Sequence, residues 1–166
     1  MDDTQERNAM NKAEFCEKIK NYEKQLYAVA FAILKNEADT EDAVCSAIEK
    51  SYGSLGQLRS PHKFKPWITT IVRNEALQIL RKRMELPGNE AIETMLEPIV
   101  DQHNELWDIV AALPEEYRLV IVMYYYNGLT IREISGILEI PIGTVKSRMN
   151  RGRNILKEAL EDKEVR

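Results

Sequence analysis

The sequence of 166 residues is poor in the residues that punctuate a chain, with seven glycines and six prolines. No stretch alternates strictly between apolar and polar residues, which excludes half-buried strands and leaves helical spacing nearly everywhere. The two cysteines, Cys16 and Cys45, lack metal-ligand spacing. They exclude a disulfide framework and are expected to be reduced, half-buried helix residues. The two histidines, His62 and His103, have no partners for catalysis or metal binding. The apolar run "LYAVAFAIL" (26–34) is about half the length of a membrane span, so the chain is not expected to be membrane-embedded. The opening "MDDTQERNAMNKAEF" is charged and lacks the apolar core of an export signal, so a cytoplasmic protein is expected. No carboxylate pair, nucleophile with its base, phosphate loop or metal cluster is present. An enzyme, a cofactor and a small-molecule substrate are all unexpected, and no catalytic or metal-binding residue is assigned.

What is present is charge, unevenly distributed. The net value of −4 hides +6 over residues 59–84, −7 over residues 85–108 and +5 over residues 141–157. An acidic protein does not bind nucleic acid indiscriminately, whereas two local basic patches, each inside a motif, imply directed contacts.

Periodicity predicts helices over 11–35, 40–55, 64–83, 105–112, 115–126, 130–138 and 143–160, an all-α protein. Residues 85–104, acidic and carrying Pro98, read as a linker. The expected organisation is a helical domain at 1–84, this linker, and a smaller helical domain at 105–166.

The string "LTIREISGILEIPIGTVKSRMNRGRNIL" begins with a capping-box pair, Thr130 and Glu133. Ile131, Ile134 and Leu138 give the helix that follows one apolar face, and Pro141 and Gly143 are expected to break it. In the next helix Val145, Met149, Gly152 and Leu156 face inward. Ser147, Asn150, Arg151 and Asn154 then lie on the opposite face, flanked by Lys146 and Arg148. A short helix, a tight turn and a longer helix with a basic outer face form a helix-turn-helix, whose second helix reads base edges in the major groove. Asn127 and Gly128 stop the support helix before it. The tyrosines at 124–126 read as core and rim of that support helix.

In the N-terminal half, "FKPWITTIVRNEALQILRKR" (64–83) packs Ile68, Val72, Ala76 and Ile79 on one side. Thr70, Asn74, Gln78 and Arg81 run along the other and end in a basic cluster that includes Arg83. Such a stripe is a track for a nucleic-acid strand. The loop before it carries His62, Lys63 and Phe64, a basic and aromatic composition suited to an unstacked base, while Trp67 reads as a core anchor. The helix over 38–52 exposes Asp39, Glu41, Asp42 and Glu49, an acidic face that is either solvated or docks a protein.

From Tyr22 to Leu160 these segments resemble, in order, the extracytoplasmic-function sigma factors, a two-domain group of the sigma-70 family of bacterial transcription initiation factors. The most specific match is the "P-x-G-T-V-K-S-R" string, which includes Thr144. "FKPWITTIVRNEALQILRKR" is similar to the −10 region, with its Trp67 and Asn74. The resemblance implies that the 38–52 helix docks on core RNA polymerase and that the helix-turn-helix reads the −35 element of promoter DNA. It also implies that the N-terminal domain captures an extruded −10 base, and that an anti-sigma factor holds the chain inactive. Cys45 and Ser46 stand where family members carry Gln-Glu, a departure within the docking helix. The acidic linker would thread the polymerase cleft or serve as a solvated tether.

Two other classes remain open on sequence grounds. A free-standing helix-turn-helix regulator usually dimerises, and the extra basic and acidic helices fit it less well. An adaptor that binds only proteins leaves the face pattern of residues 144–153 unexplained.

Overall fold

The computed structural model describes residues 9–87 and 105–165, and every regular element among them is helical. The all-α expectation holds.

Helix α1 (Lys12–Leu34) starts at a capping box in which Asn11 and Glu14 satisfy each other's backbone N–H groups at 2.9 and 3.1 Å. It ends on Lys35, whose left-handed φ of 49° turns the chain. Asn36 then accepts from the Asp39 N–H at 2.9 Å and opens α2 (Glu37–Gly53). This cap explains why α2 begins three residues before the periodicity predicts. Two short 3₁₀ turns lead to α3 (Phe64–Glu85). Helices α1, α2 and α3 pack on one another around Phe15, Leu26, Ile68 and Val72. Each such side chain contributes about 1.5–3 kcal/mol by leaving water.

The C-terminal half comprises α4 (Glu105–Ala111), α5 (Glu115–Ile121), α6 (Ile131–Leu138) and α7 (Ile142–Glu164). Helix α5 runs on into one π-helical turn, Val122–Tyr126, and Gly128 at φ 67° ends it. The capping box predicted at Thr130 and Glu133 is formed at 3.2 and 2.8 Å. Helix α6 stops on Glu139 in the left-handed region (φ 56°), before the predicted break. Pro141 precedes the first residue of α7, and Gly143 lies within that helix.

One expectation is corrected. Cys16 and Cys45 are exposed, because both fall on the outer faces of their helices. Most of the 85–104 linker lies outside the described residues, as does His103, while its first residue, Glu85, closes α3. The two helical halves pack on each other. Helix α5 and its π turn pack on α1, α6 packs on α3, and one apolar core runs through both halves.

Candidate nucleic-acid interface

Helix α7 is held from one side. Val145, Met149 and Gly152 are buried, and Gly152 lets α7 approach α5 so closely that a Cβ there would stand 2.9 Å from Ile121 Cγ1. The opposite face follows from 3.6 residues per turn. Lys146, Ser147, Asn150, Arg151 and Asn154 are exposed, and Thr144 is half-buried at the helix start. Arg148, also half-buried, leans back to Glu116 at 3.6 Å. Arg151 donates to the Tyr117 hydroxyl at 3.4 Å, a long bond that leaves its planar fork available. The open N-terminal portion of α7 therefore presents donors and acceptors on a basic background.

The second basic region is only partly open. His62, Lys63, Asn74, Gln78 and Arg81 are exposed, and Thr70 is half-buried with its hydroxyl turned to the Pro66 carbonyl at 2.8 Å. Phe64 requires correction as a base platform. It is 3 % exposed and wedged edge-on between Phe15 and Tyr22 at 6.1 and 6.5 Å, which makes it a core residue. Trp67 is half-buried against Phe64 and is the aromatic that borders the loop, lining a groove of about 370 Å³ with Arg59, Lys63 and Thr70.

On α2, Glu41, Asp42 and Glu49 are exposed as expected. Asp39 is not: it is half-buried and pairs with Arg83 of α3 at 2.6 Å. One residue expected to meet polymerase thus neutralises one expected to meet DNA. Lys50 pairs with Glu75 across the same two helices. Beside this face the Tyr27 hydroxyl is pushed up to about 12, first by burial and then by Glu37 and Glu41.

The residues that sequence reasoning missed are those joining the halves. Arg118 is 4 % exposed and donates to the carbonyls of Ala111 (3.1 Å) and Leu113 (2.7 Å) in its own half and of Ala32 (2.8 Å) in α1. Burial lowers its pKa, opposed by Glu115. It also supplies a cation to the C-terminal end of α1, whose own last turn has no basic residue. Asn127, likewise buried, donates to the Gln25 carbonyl at 3.2 Å and accepts from the Tyr22 hydroxyl at 3.4 Å. No sequence signal separates Arg118 from an ordinary surface arginine of "PEEYR". The stop signal at Asn127 gave no hint of a long-range bond.

Among the described residues no group of three metal-ligating side chains occurs and no helix is long and apolar enough to cross a membrane. A helix-turn-helix with an open basic face, beside a second basic helix backed by an acidic one, defines a DNA-reading protein equipped with a further surface for a protein partner.

Comparisons with known proteins narrow that class. Residues 19–85 match the Sigma-70 region 2 model, and residues 103–156 match the Sigma-70, region 4 model. The chain is 30% identical over 168 residues to the ECF RNA polymerase sigma factor SigW of Bacillus subtilis, covering 89% of each chain. It is 26% identical to RNA polymerase sigma factor SigV of the same organism, over 89% of this chain and 91% of that one. Its fold is similar to that of the sigma factor RpoE from Bartonella quintana, solved with the anti-sigma factor NepR, with a TM-score of 0.75 at 23% identity over 89% of this chain and 97% of that one. It is also similar to that of CnrH, solved with the cytosolic domain of CnrY, with a TM-score of 0.65 at 20% identity over 92% and 90%. The chain belongs to the extracytoplasmic-function sigma factors of the sigma-70 family. It works with core RNA polymerase and promoter DNA to direct transcription initiation, and such factors are by family DNA-binding initiation factors rather than enzymes.

Proposed function

We propose that α7 reads the −35 element, with Ser147, Asn150 and Arg151 at base edges and Thr144, Lys146 and Arg148 at phosphates. The supporting observation is the division of α7 into a buried face and an open polar one. Direct readout needs such a face at the N-terminal part of the helix. The −10 element falls to the loop at His62 and Lys63 and to Asn74 and Arg81 of α3, with Trp67 in the aromatic role first given to Phe64. Arg83 joins them once its pairing with Asp39 is exchanged. Glu41, Asp42 and Glu49 form the docking face for polymerase, and residues 1–84, 85–104 and 105–166 act as reader, connector and reader. The chain acts in the cytoplasm, performs no chemistry of its own and is held inactive by an anti-sigma factor. The anti-sigma partner is drawn from RpoE, which was solved with one.

The test is run-off transcription with core polymerase on duplex templates and on templates with a mismatched bubble at −10. Asn74→Ala is expected to impair the duplex reaction and to lose less on the bubble, where the opening cost of a few kcal/mol is already met. Equal losses on both templates would remove Asn74 from strand opening. A free-standing regulator would instead bind duplex DNA tightly without polymerase at physiological salt.

A further inference from the structure

Resting on the assignment of Arg151 to base edges, we infer that Tyr117 of α5 is a positioning residue for −35 reading: its hydroxyl holds the Arg151 guanidinium in the orientation that discriminates bases. Arginine is a flexible side chain, and a bidentate contact to a base edge needs its planar fork held in one orientation. Helix α5 meets this need from beneath α7. The Tyr117 Cβ lies so near Gly152 that a Cβ on that glycine would stand 3.5 Å from it. From there the ring reaches back to the preceding residue, and its hydroxyl accepts from Arg151 Nη1 at 3.4 Å. A tyrosine has few side-chain torsions, and this one is half-buried where α5 packs on α7, so its hydroxyl is a fixed point.

The neighbouring arginines of α7 show why a hydroxyl matters. Arg148 faces the Glu116 carboxylate at 3.6 Å, and Arg153 lies over the Tyr125 ring at 5.7 Å to the centroid. A carboxylate offsets the charge that it holds, and a ring face offers no lone pair to fix the rotation of the fork. The Tyr117 oxygen is neutral, takes one N–H and leaves the rest of the fork, still charged, for the DNA. Glu116 and Tyr117, consecutive on α5, thus tether two arginines of α7 in unlike ways. The length of the Tyr117 bond makes it a guide rather than a clamp, so its removal should act on discrimination more than on affinity.

The test uses holoenzyme and a promoter fragment that the native factor transcribes, with each −35 base pair substituted singly and binding measured by competition. Tyr117→Phe keeps the ring against Gly152 and removes only the oxygen. It should lower preference about threefold at the base pairs that Arg151→Ala relaxes, as loss of one exposed hydrogen bond allows. Preference at the other base pairs and the salt slope should not change. In the Arg151→Ala background the same change should have no further effect, since the residue it positions is gone. A loss spread evenly over all fragments, or one that persists without Arg151, overturns the proposal, because a phosphate contact or a damaged seat between α5 and α7 would act in that way. If Arg151→Ala relaxes a base pair while Tyr117→Phe leaves that preference unchanged or sharper, the base-edge reading stands and the positioning role is overturned. If Arg151→Ala itself weakens every fragment equally, the base-edge reading fails and the positioning role falls with it.

Discussion

Helices α3 and α7 are of similar length and similarly basic, but they meet the rest of the molecule differently. Helix α7 is seated along one narrow stripe, with Gly152 at its closest approach and its polar face open. Helix α3 is flanked by α2 and α6. Its Arg83 is paired with Asp39, and its Glu75 with Lys50. A groove reader for duplex DNA needs a rigid convex edge and can be presented ready-made. A strand-capturing surface that stood open would attract any exposed single strand, so partial neutralisation and cover suit it better.

Five changes sharpen or break this contrast, ordered by expected effect. Gly152→Val places a branched side chain against Ile121, and overpacking should destabilise the chain by about 3 kcal/mol in urea denaturation. Unchanged stability would mean that α7 is not pinned at this point. Arg151→Ala should cost about 2 kcal/mol in −35 discrimination by holoenzyme and relax preference at one or two base pairs. The companion Lys146→Ala should weaken all sequences alike and lower the salt slope. If both variants lose affinity uniformly, Arg151 is a phosphate contact. Thr130→Ala removes the cap of α6 and should lower stability by about 1 kcal/mol, measured by thermal denaturation, with no change in α3-dependent opening. Smallest is Glu75→Gln, which breaks a partly exposed pair and should cost about 0.5 kcal/mol or less, vanishing at high salt. A salt-independent loss would show that the α2–α3 pairing is stronger than its exposure implies.

Much of this architecture was legible in the sequence because helices announce themselves through spacing and caps. The inward set Val145, Met149 and Gly152 and the cap at Thr130 follow from periodicity and side-chain chemistry alone. The exposure of Glu41, Asp42, Glu49 and Asn74 follows in the same way. Phe64 did not, because an aromatic at a helix start has the same composition whether it faces solvent or core. Only the arrival of Phe15 and Tyr22 from α1 decides between them. The pairing of Asp39 with Arg83 joins residues forty-four positions apart, and the bond from Arg118 to Ala32 spans eighty-six, distances at which no periodicity operates. Relations within a helix were readable, and relations between helices had to be seen.

The π turn at Val122–Tyr126 has a consequence for phase. The Asn127 N–H reaches back five residues to the Val122 carbonyl, at 3.1 Å, instead of four. The helix thereby carries one residue more than its axial rise requires, and everything after it is rotated by about 100° relative to an uninterrupted α-helix. That offset aims Asn127 at α1 while the residues before it keep Val120 and Ile121 in the core. Deleting a single residue from 124–126 would let the helix wind regularly and turn Asn127 away from Gln25. An insertion of one residue thus works as a rotary adjustment, letting one helix serve two surfaces that a regular winding could not face at once.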